Sequence, residues 1–144
     1  MSQLTLSDIS KEMRDIDFAM LLTRTENGQI AGRPMSNNQD VEYDGDSYYF
    51  TFEESRTVKD ISRDPTISLA FQGSKGLLAA APMFISVEAQ AELIRDKAVF
   101  AQHWTKELDR WFEKGVDTPG VVLIKAHATR IHYWDGTNDG ELTL

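Results

Sequence analysis

Two tight-turn dipeptides, Asn27-Gly28 and Asp44-Gly45, each lie between runs rich in apolar and aromatic residues. They constrain the fold more than any other feature of the chain. Asn-Gly and Asp-Gly adopt the positive-φ geometry of two-residue hairpin turns at low cost, and that geometry matches the twist of paired strands. Phe18–Thr25 is apolar and then alternates, so it is predicted to pair with Gln29–Asn37 through the first turn. The second turn separates a short strand near Gln39–Tyr43 from the aromatic strand Ser47–Phe52. Thr66–Gln72 alternates, with Ile67, Leu69 and Phe71 on one face. Gly73–Gly76 reads as a turn, Leu77–Ile94 as one or two strands with a bend near Pro82, and Gly120–Trp134 as a long final strand. Short antiparallel strands joined by tight turns point to a barrel.

Three helices are predicted beside these strands. In Leu6–Asp17, Leu6, Ile9, Met13 and Ile16 recur at helical spacing, and Thr5 or Ser7 supplies the N-cap. Ser55–Arg63 has Ser55 as its cap and Pro65 as its terminator. Asp96–Phe112 carries a broad stripe of Val99, Phe100, His103, Trp104, Leu108, Trp111 and Phe112. The tail from Asp135 is polar and is expected to be loose. A chain of 144 residues without repeats or linkers suits one domain spanning residues 1–144. The predicted class is mainly β (α+β), an antiparallel barrel of six to seven strands with flanking helices.

Composition excludes several functions. There is no cysteine, which removes disulfides, thiolate metal sites and a thiol nucleophile. A net charge of −8 makes nucleic acid and anionic lipid poor partners. The N-terminal MSQLTLSDISKEM has no basic region followed by a long apolar stretch, and no apolar run approaches membrane-spanning length, so a cytoplasmic chain is expected. Serine-hydrolase, zinc-protease, P-loop and dinucleotide-binding signatures are absent. His127 and His132 are five residues apart on one predicted strand, which places them on opposite faces unless a bulge intervenes. Glu53-Glu54 reads as an acid–base pair or, in preference, as solvated residues at a strand end. No metal site and no catalytic side chain are assigned.

The informative residues lie in three consecutive segments. Arg33-Pro34-Met35 puts a cation and a proline into a half-buried strand, and proline there implies an edge or a bulge. An edge leaves main-chain donors and acceptors open to the rim of a planar heterocycle. The Tyr48-Tyr49-Phe50-Thr51 strand follows. Ser55 then opens a helix whose N-terminus offers free N–H groups and positive dipole to a phosphate, with Arg56, Thr57 and Lys59 beside it. Chemistry alone favours Ser55 as a simple cap with Arg56 and Lys59 in solvent.

These segments carry a resemblance. Arg33-Pro34-Met35, Tyr43-Asp44-Gly45-Asp46, Tyr49-Phe50-Thr51, Ser55 with Val58, Ile61 with Arg63-Asp64-Pro65, Ile85-Ser86-Val87, Trp111-Phe112 with Gly115, and Tyr133-Trp134-Asp135 follow in order. In that order the chain resembles the FMN-binding split-barrel proteins related to pyridoxamine 5′-phosphate oxidase, in their bacterial general-stress-protein branch. The resemblance implies a split β-barrel working as a homodimer with FMN at the interface. It implies Arg33, Pro34 and Met35 along the isoalloxazine or ribityl part, main-chain and hydroxyl contacts from Tyr49, Phe50 and Thr51, Ser55 at the phosphate, and Trp111 over the ring; Trp104 reads as packing. The family pattern has a lysine two residues after the serine, where this chain has Thr57, with Arg56 or Lys59 as compensating cations. Loss of such a charge-assisted contact costs about 1–3 kcal/mol, so FAD enters as a competing cofactor. The proline usual after Trp-Phe is also missing.

Two functions follow from the resemblance. One is a flavin-dependent oxidoreductase passing electrons between a small-molecule donor and acceptor. The other is a non-enzymatic flavin carrier, store or redox sensor in stress. Pyridoxamine-phosphate oxidation itself is disfavoured, because the tail after Trp134 lacks a basic pair for a second phosphate.

Overall fold

The computed structural model describes residues 3–37, 42–73, 82–136 and 138–144. Helix α1 (Leu6–Met13) precedes the hairpin β1 (Phe18–Arg24) and β2 (Ile30–Ser36); β3 (Asp46–Phe52), α2 (Arg56–Arg63), β4 (Thr66–Gln72) and β5 (Phe84–Ile94) follow. Then come α3 (Lys97–His103), two 3₁₀ turns at Lys106–Arg110 and Gly115–Asp117, the long β6 (Val121–Trp134) and β7 (Asp139–Thr143). The seven strands form one antiparallel sheet in the order β2-β1-β4-β5-β6-β3, with β7 also on β6. This is the mainly β, split-barrel-like architecture expected from the turns. Gly28 and Gly45 both have positive φ, at 76° and 109°, as their turns require.

The sheet curls so that its two end strands, β2 and β3, approach each other without joining. Among the described residues each keeps an unpaired edge toward the gap, which is the split of the barrel. The inward residues, including Leu21, Leu69, Val87, Ile124 and Ile131, fill the interior, and α1 adds Ile9 and Met13 to it. A second cluster lies outside that interior. Phe50, Phe100, Phe112, Val121 and Leu123 pack there with Trp104 and Leu108, joining β3 to α3 and the first 3₁₀ turn.

Several expectations need correction. The first helix stops at Met13 rather than Asp17. The helix expected over Asp96–Phe112 is α3 alone, and Trp104 leaves it with extended backbone (φ −75°, ψ 134°). Its ring packs 4.7 Å from Phe50 and 5.4 Å from Phe112, a placement that ends the helix in exchange for aromatic burial. The polar tail is a strand instead of a loose end. β7 pairs residue for residue with Arg130–Trp134, because β3 ends its pairing at His127 and leaves the rest of that β6 edge open. Gly140 lets β7 lie on Tyr133, whose hydroxyl accepts from the Leu4 N–H at 2.8 Å. A bulge at Thr129 shifts the β5–β6 register and brings His127 and His132 to the same outward face. His127 contacts Asp46 (2.6 Å), while His132 contacts Asp139 (3.0 Å), so they do not share a site. The strand near Gln39–Tyr43 falls mostly outside the described residues, as do most of the Gly73–Gly76 turn and the start of Leu77–Ile94.

Candidate functional site

At the split of the barrel lies a cleft of about 280 Å³ between β2 and β3. β2 contributes Arg33, Pro34, Met35 and Ser36; β3 contributes Phe50, Thr51 and Phe52. Thr57 closes one side, and Leu108, Trp111, Phe112 and Phe18 line the rest. Pro34 has no N–H to offer a ladder, and it sits on the terminal strand β2, whose outer edge pairs with nothing among the described residues. Phe18, Phe52 and Trp111 stay 47, 43 and 52 % exposed and form an apolar rim around the cleft.

Arg33 is the charged member. Its Nη1 donates to the Thr23 hydroxyl at 2.7 Å and to the Leu21 carbonyl at 3.3 Å. The Thr23 hydroxyl donates onward to Asp60 Oδ2 at 2.8 Å, and Asp60 is fully buried on α2. Burial lowers the Arg33 pKa from its ordinary value, Asp60 opposes the shift, and the nearby Arg56 adds to it. Two cations therefore stand near each other beside the cleft, although the chain as a whole is strongly acidic.

Ser55 caps α2 by accepting from the Val58 N–H at 3.2 Å, and the Thr51 hydroxyl reaches it at 3.4 Å. The cap leaves the N–H groups of the first helical turn, at Arg56 and Thr57, open. Thr57 is buried and lines the cleft; Arg56 and Lys59 are exposed. The structure thus gathers Arg33, Pro34, Met35, Phe50, Thr51, Thr57 and Trp111 into one cleft, with Ser55 in contact with Thr51 at its margin. Tyr49 is elsewhere: its side chain points into the barrel interior, and its hydroxyl is buried without a hydrogen-bond partner among the described residues. Trp111 carries the Arg110 guanidinium over its ring at 4.8 Å.

Sequence reasoning missed Phe18, Phe52, Leu108, Thr23 and Asp60. Phe18 and Phe52 are apolar residues on the outward positions of their strands, a signal available from alternation. Thr23 and Asp60 had no signal, since their roles depend on where β1 and α2 meet. Glu53-Glu54 does not form an acid–base pair: Glu53 is exposed and held by Arg95 through two bonds of 2.6 and 2.8 Å. That bonding lowers its pKa. Among the described residues no group of histidines and carboxylates is arranged to hold a metal, and no helix is long and apolar enough to cross a membrane.

Comparison with known proteins adds three findings. A family model described as "Pyridoxamine 5'-phosphate oxidase like" matches residues 5–144. The protein bli-3 of Neurospora crassa is 24% identical over 137 residues, covering 89% of this chain and 63% of that protein, so this chain spans less than two thirds of its relative. Two solved structures share the fold. One is a Clostridium acetobutylicum protein related to general stress protein 26 of B. subtilis, at 18% identity, TM-score 0.79, covering 96% of this chain and 94% of the other. The second is the general stress FMN/FAD binding protein of Xanthomonas citri, at 19% identity, TM-score 0.75, covering 92% and 89%.

Proposed function

The chain belongs to the pyridoxamine 5′-phosphate oxidase-like family, and on that premise we propose that it is a cytoplasmic general stress protein that binds a flavin in the β2–β3 cleft. FMN is the expected ligand, with FAD competing. The observation that carries this reading is the cleft itself. Two strand edges unpaired among the described residues, an exposed indole, one guanidinium and three hydroxyls converge on the same space. That donor set fits a planar heterocycle with an apolar body and a polar rim. The open N-terminus of α2, beside Thr51 and Thr57, suits a phosphate. The Xanthomonas citri protein of the same fold is an FMN/FAD binding protein, which supports the assignment.

A bound flavin supplies hydride and single-electron chemistry. The chain's own part is to orient and to exclude water. Arg33 presents donors to the ring's acceptor edge or to the ribityl chain, Trp111 covers a face, and Thr57 with the α2 N-terminus steadies the phosphate. The exposed rim of Phe18, Phe52 and Trp111 is left for a second copy of the chain to cover, giving a homodimer with two equivalent sites. With electrons supplied by a small-molecule donor and passed to a small organic acceptor, the protein acts as an oxidoreductase. One observation favours a second reading. Among the described residues Arg33 is the only ionisable side chain lining the cleft, so none of them supplies an acid or base beside the flavin there. A carrier or store needs none.

Titration of the apo-protein with FMN, FAD and riboflavin, followed by tryptophan fluorescence, tests the proposal. Saturable FMN binding with weaker riboflavin binding supports it. Steady oxidation of a nicotinamide donor by the loaded protein separates the enzyme from the carrier. No saturable binding of any flavin overturns the flavin reading.

A further inference from the structure

Asp60 is a carboxylate with no exposure at all, on the cleft-side helix α2, and nothing in the flavin reading uses it. Burying an ion of this kind is costly unless other groups satisfy it. Its two oxygens face different ways. Oδ2 accepts from the Thr23 hydroxyl at 2.8 Å and stands 3.7 Å from Arg33 Nη2. Oδ1 has only Arg63 Nη1 near it, at 3.5 Å, and makes no hydrogen bond among the described residues. Direct contact between Asp60 and Arg33 is therefore loose, and the close bonds run through threonine: Arg33 Nη1 to Thr23 Oγ1 at 2.7 Å, then Thr23 Oγ1 to Asp60 Oδ2. Thr23 uses its hydroxyl as acceptor toward one and donor toward the other, which fixes the direction of the relay.

The far end of this relay is open. The Arg33 side chain is 20 % exposed and lines the cleft, whereas Asp60 and Thr23 are buried and do not. Nη1 is consumed by Thr23 and the Leu21 carbonyl, while Nε makes no hydrogen bond among the described residues. Arg33 offsets the buried charge of Asp60 and is at the same time the one member of the relay that lines the cleft, so whatever fixes it for Asp60 also fixes it for a ligand there.

We propose that Thr23 and Asp60 are positioning residues that hold the Arg33 guanidinium in one orientation, with its remaining donors presented to the acceptor groups of the ligand in the cleft. The proposal rests on the flavin reading for the identity of that ligand, but the ordering of Arg33 precedes any ligand. Ordering one long side chain in advance is worth about 0.5–1.5 kcal/mol, or about 2- to 13-fold in affinity.

The test uses Thr23→Val, which keeps the shape and removes the hydroxyl, with Thr23→Ser as the rescue variant and thermal unfolding measured for both. In the unliganded protein, the NMR resonances of the Arg33 guanidinium, identified by their loss in Arg33→Lys, report its order directly. They are expected to be resolved and slowly exchanging in wild type and Thr23→Ser, and averaged in Thr23→Val. With FMN as probe, Thr23→Val is expected to weaken binding about 2- to 13-fold. That loss is expected to vanish in an Arg33→Ala background, because a residue acting through Arg33 has nothing left to act on. Unchanged Arg33 resonances in Thr23→Val overturn the proposal, and so does an equal FMN loss in both backgrounds. If wild type binds no flavin, the flavin reading fails, and the guanidinium spectrum alone decides the positioning role.

Discussion

Replacing Ser55 by aspartate separates the two things this residue can do. In the structure its hydroxyl accepts from the Val58 N–H at 3.2 Å and so caps α2. Aspartate caps about as well as serine, whereas alanine does not and costs about 1 kcal/mol. For a chain of this length that cost lowers the melting temperature by about 4 °C. Ser55→Ala should therefore melt lower by that amount, and Ser55→Asp should melt near wild type. Ligand binding should reverse the ranking. If a phosphate sits at the open N–H groups of α2, the new carboxylate lies about 4 Å from it, where two unit charges repel by about 1 kcal/mol in bulk water and about 4 kcal/mol under weaker screening. FMN affinity should fall by about 5- to 1000-fold in Ser55→Asp, while riboflavin, which has no phosphate, should bind as it does to wild type. The assay is paired thermal unfolding and fluorescence titration with both ligands. Undiminished FMN affinity in a well-folded Ser55→Asp protein would refute the placement of the phosphate at this helix.

Other outcomes follow from the same geometry. Trp111→Ala should weaken flavin binding and remove much of the fluorescence quenching, since the indole lines the cleft; fluorescence titration checks both. A Cβ at Gly140 would fall 2.4 Å from the Tyr133 hydroxyl, so Gly140→Ala should cost about 1–3 kcal/mol and speed hydrogen exchange in β7 before the rest of the sheet. Burial pushes the Tyr49 hydroxyl up to about 12 and raises those of Tyr43 and Tyr48 as well. The fold thus favours their neutral forms: their stabilising contribution is complete below the ordinary tyrosine value of about 10 and is lost as pH rises through the folded values. Ultraviolet titration should show Tyr49 ionising only with alkaline unfolding, and a melting temperature that holds steady above that ordinary value would contradict this.

Much of the architecture was legible in the chain because it rests on local chemistry. Asn27-Gly28 and Asp44-Gly45 mark their turns, and in each the glycine alone takes the positive φ. Ser55 with its following residues specifies a capped helix. The alternation in Thr66–Gln72 specifies which side faces inward. Proline in Arg33-Pro34-Met35 limits that strand to an edge or a bulge, and the sheet places it at an edge. These signals act within a few residues and need no partner.

What tertiary structure alone decided involves contacts between distant segments. Trp104 leaves α3 because Phe50 and Phe112 offer it a better site than another helical turn does. The bulge at Thr129 turns His132 onto the face of His127, reversing a parity that sequence spacing implied. β7 forms because β3 stops short along β6 and leaves an open edge that a polar tail fills with main-chain bonds. The cleft exists because β2 and β3, the two ends of one curled sheet, come close without pairing. Within it, Arg33 owes its orientation to Thr23 and Asp60, which lie 10 and 27 positions away along the chain. Periodicity tells which face of an element is apolar, but only the packed chain determines which face of another element meets it.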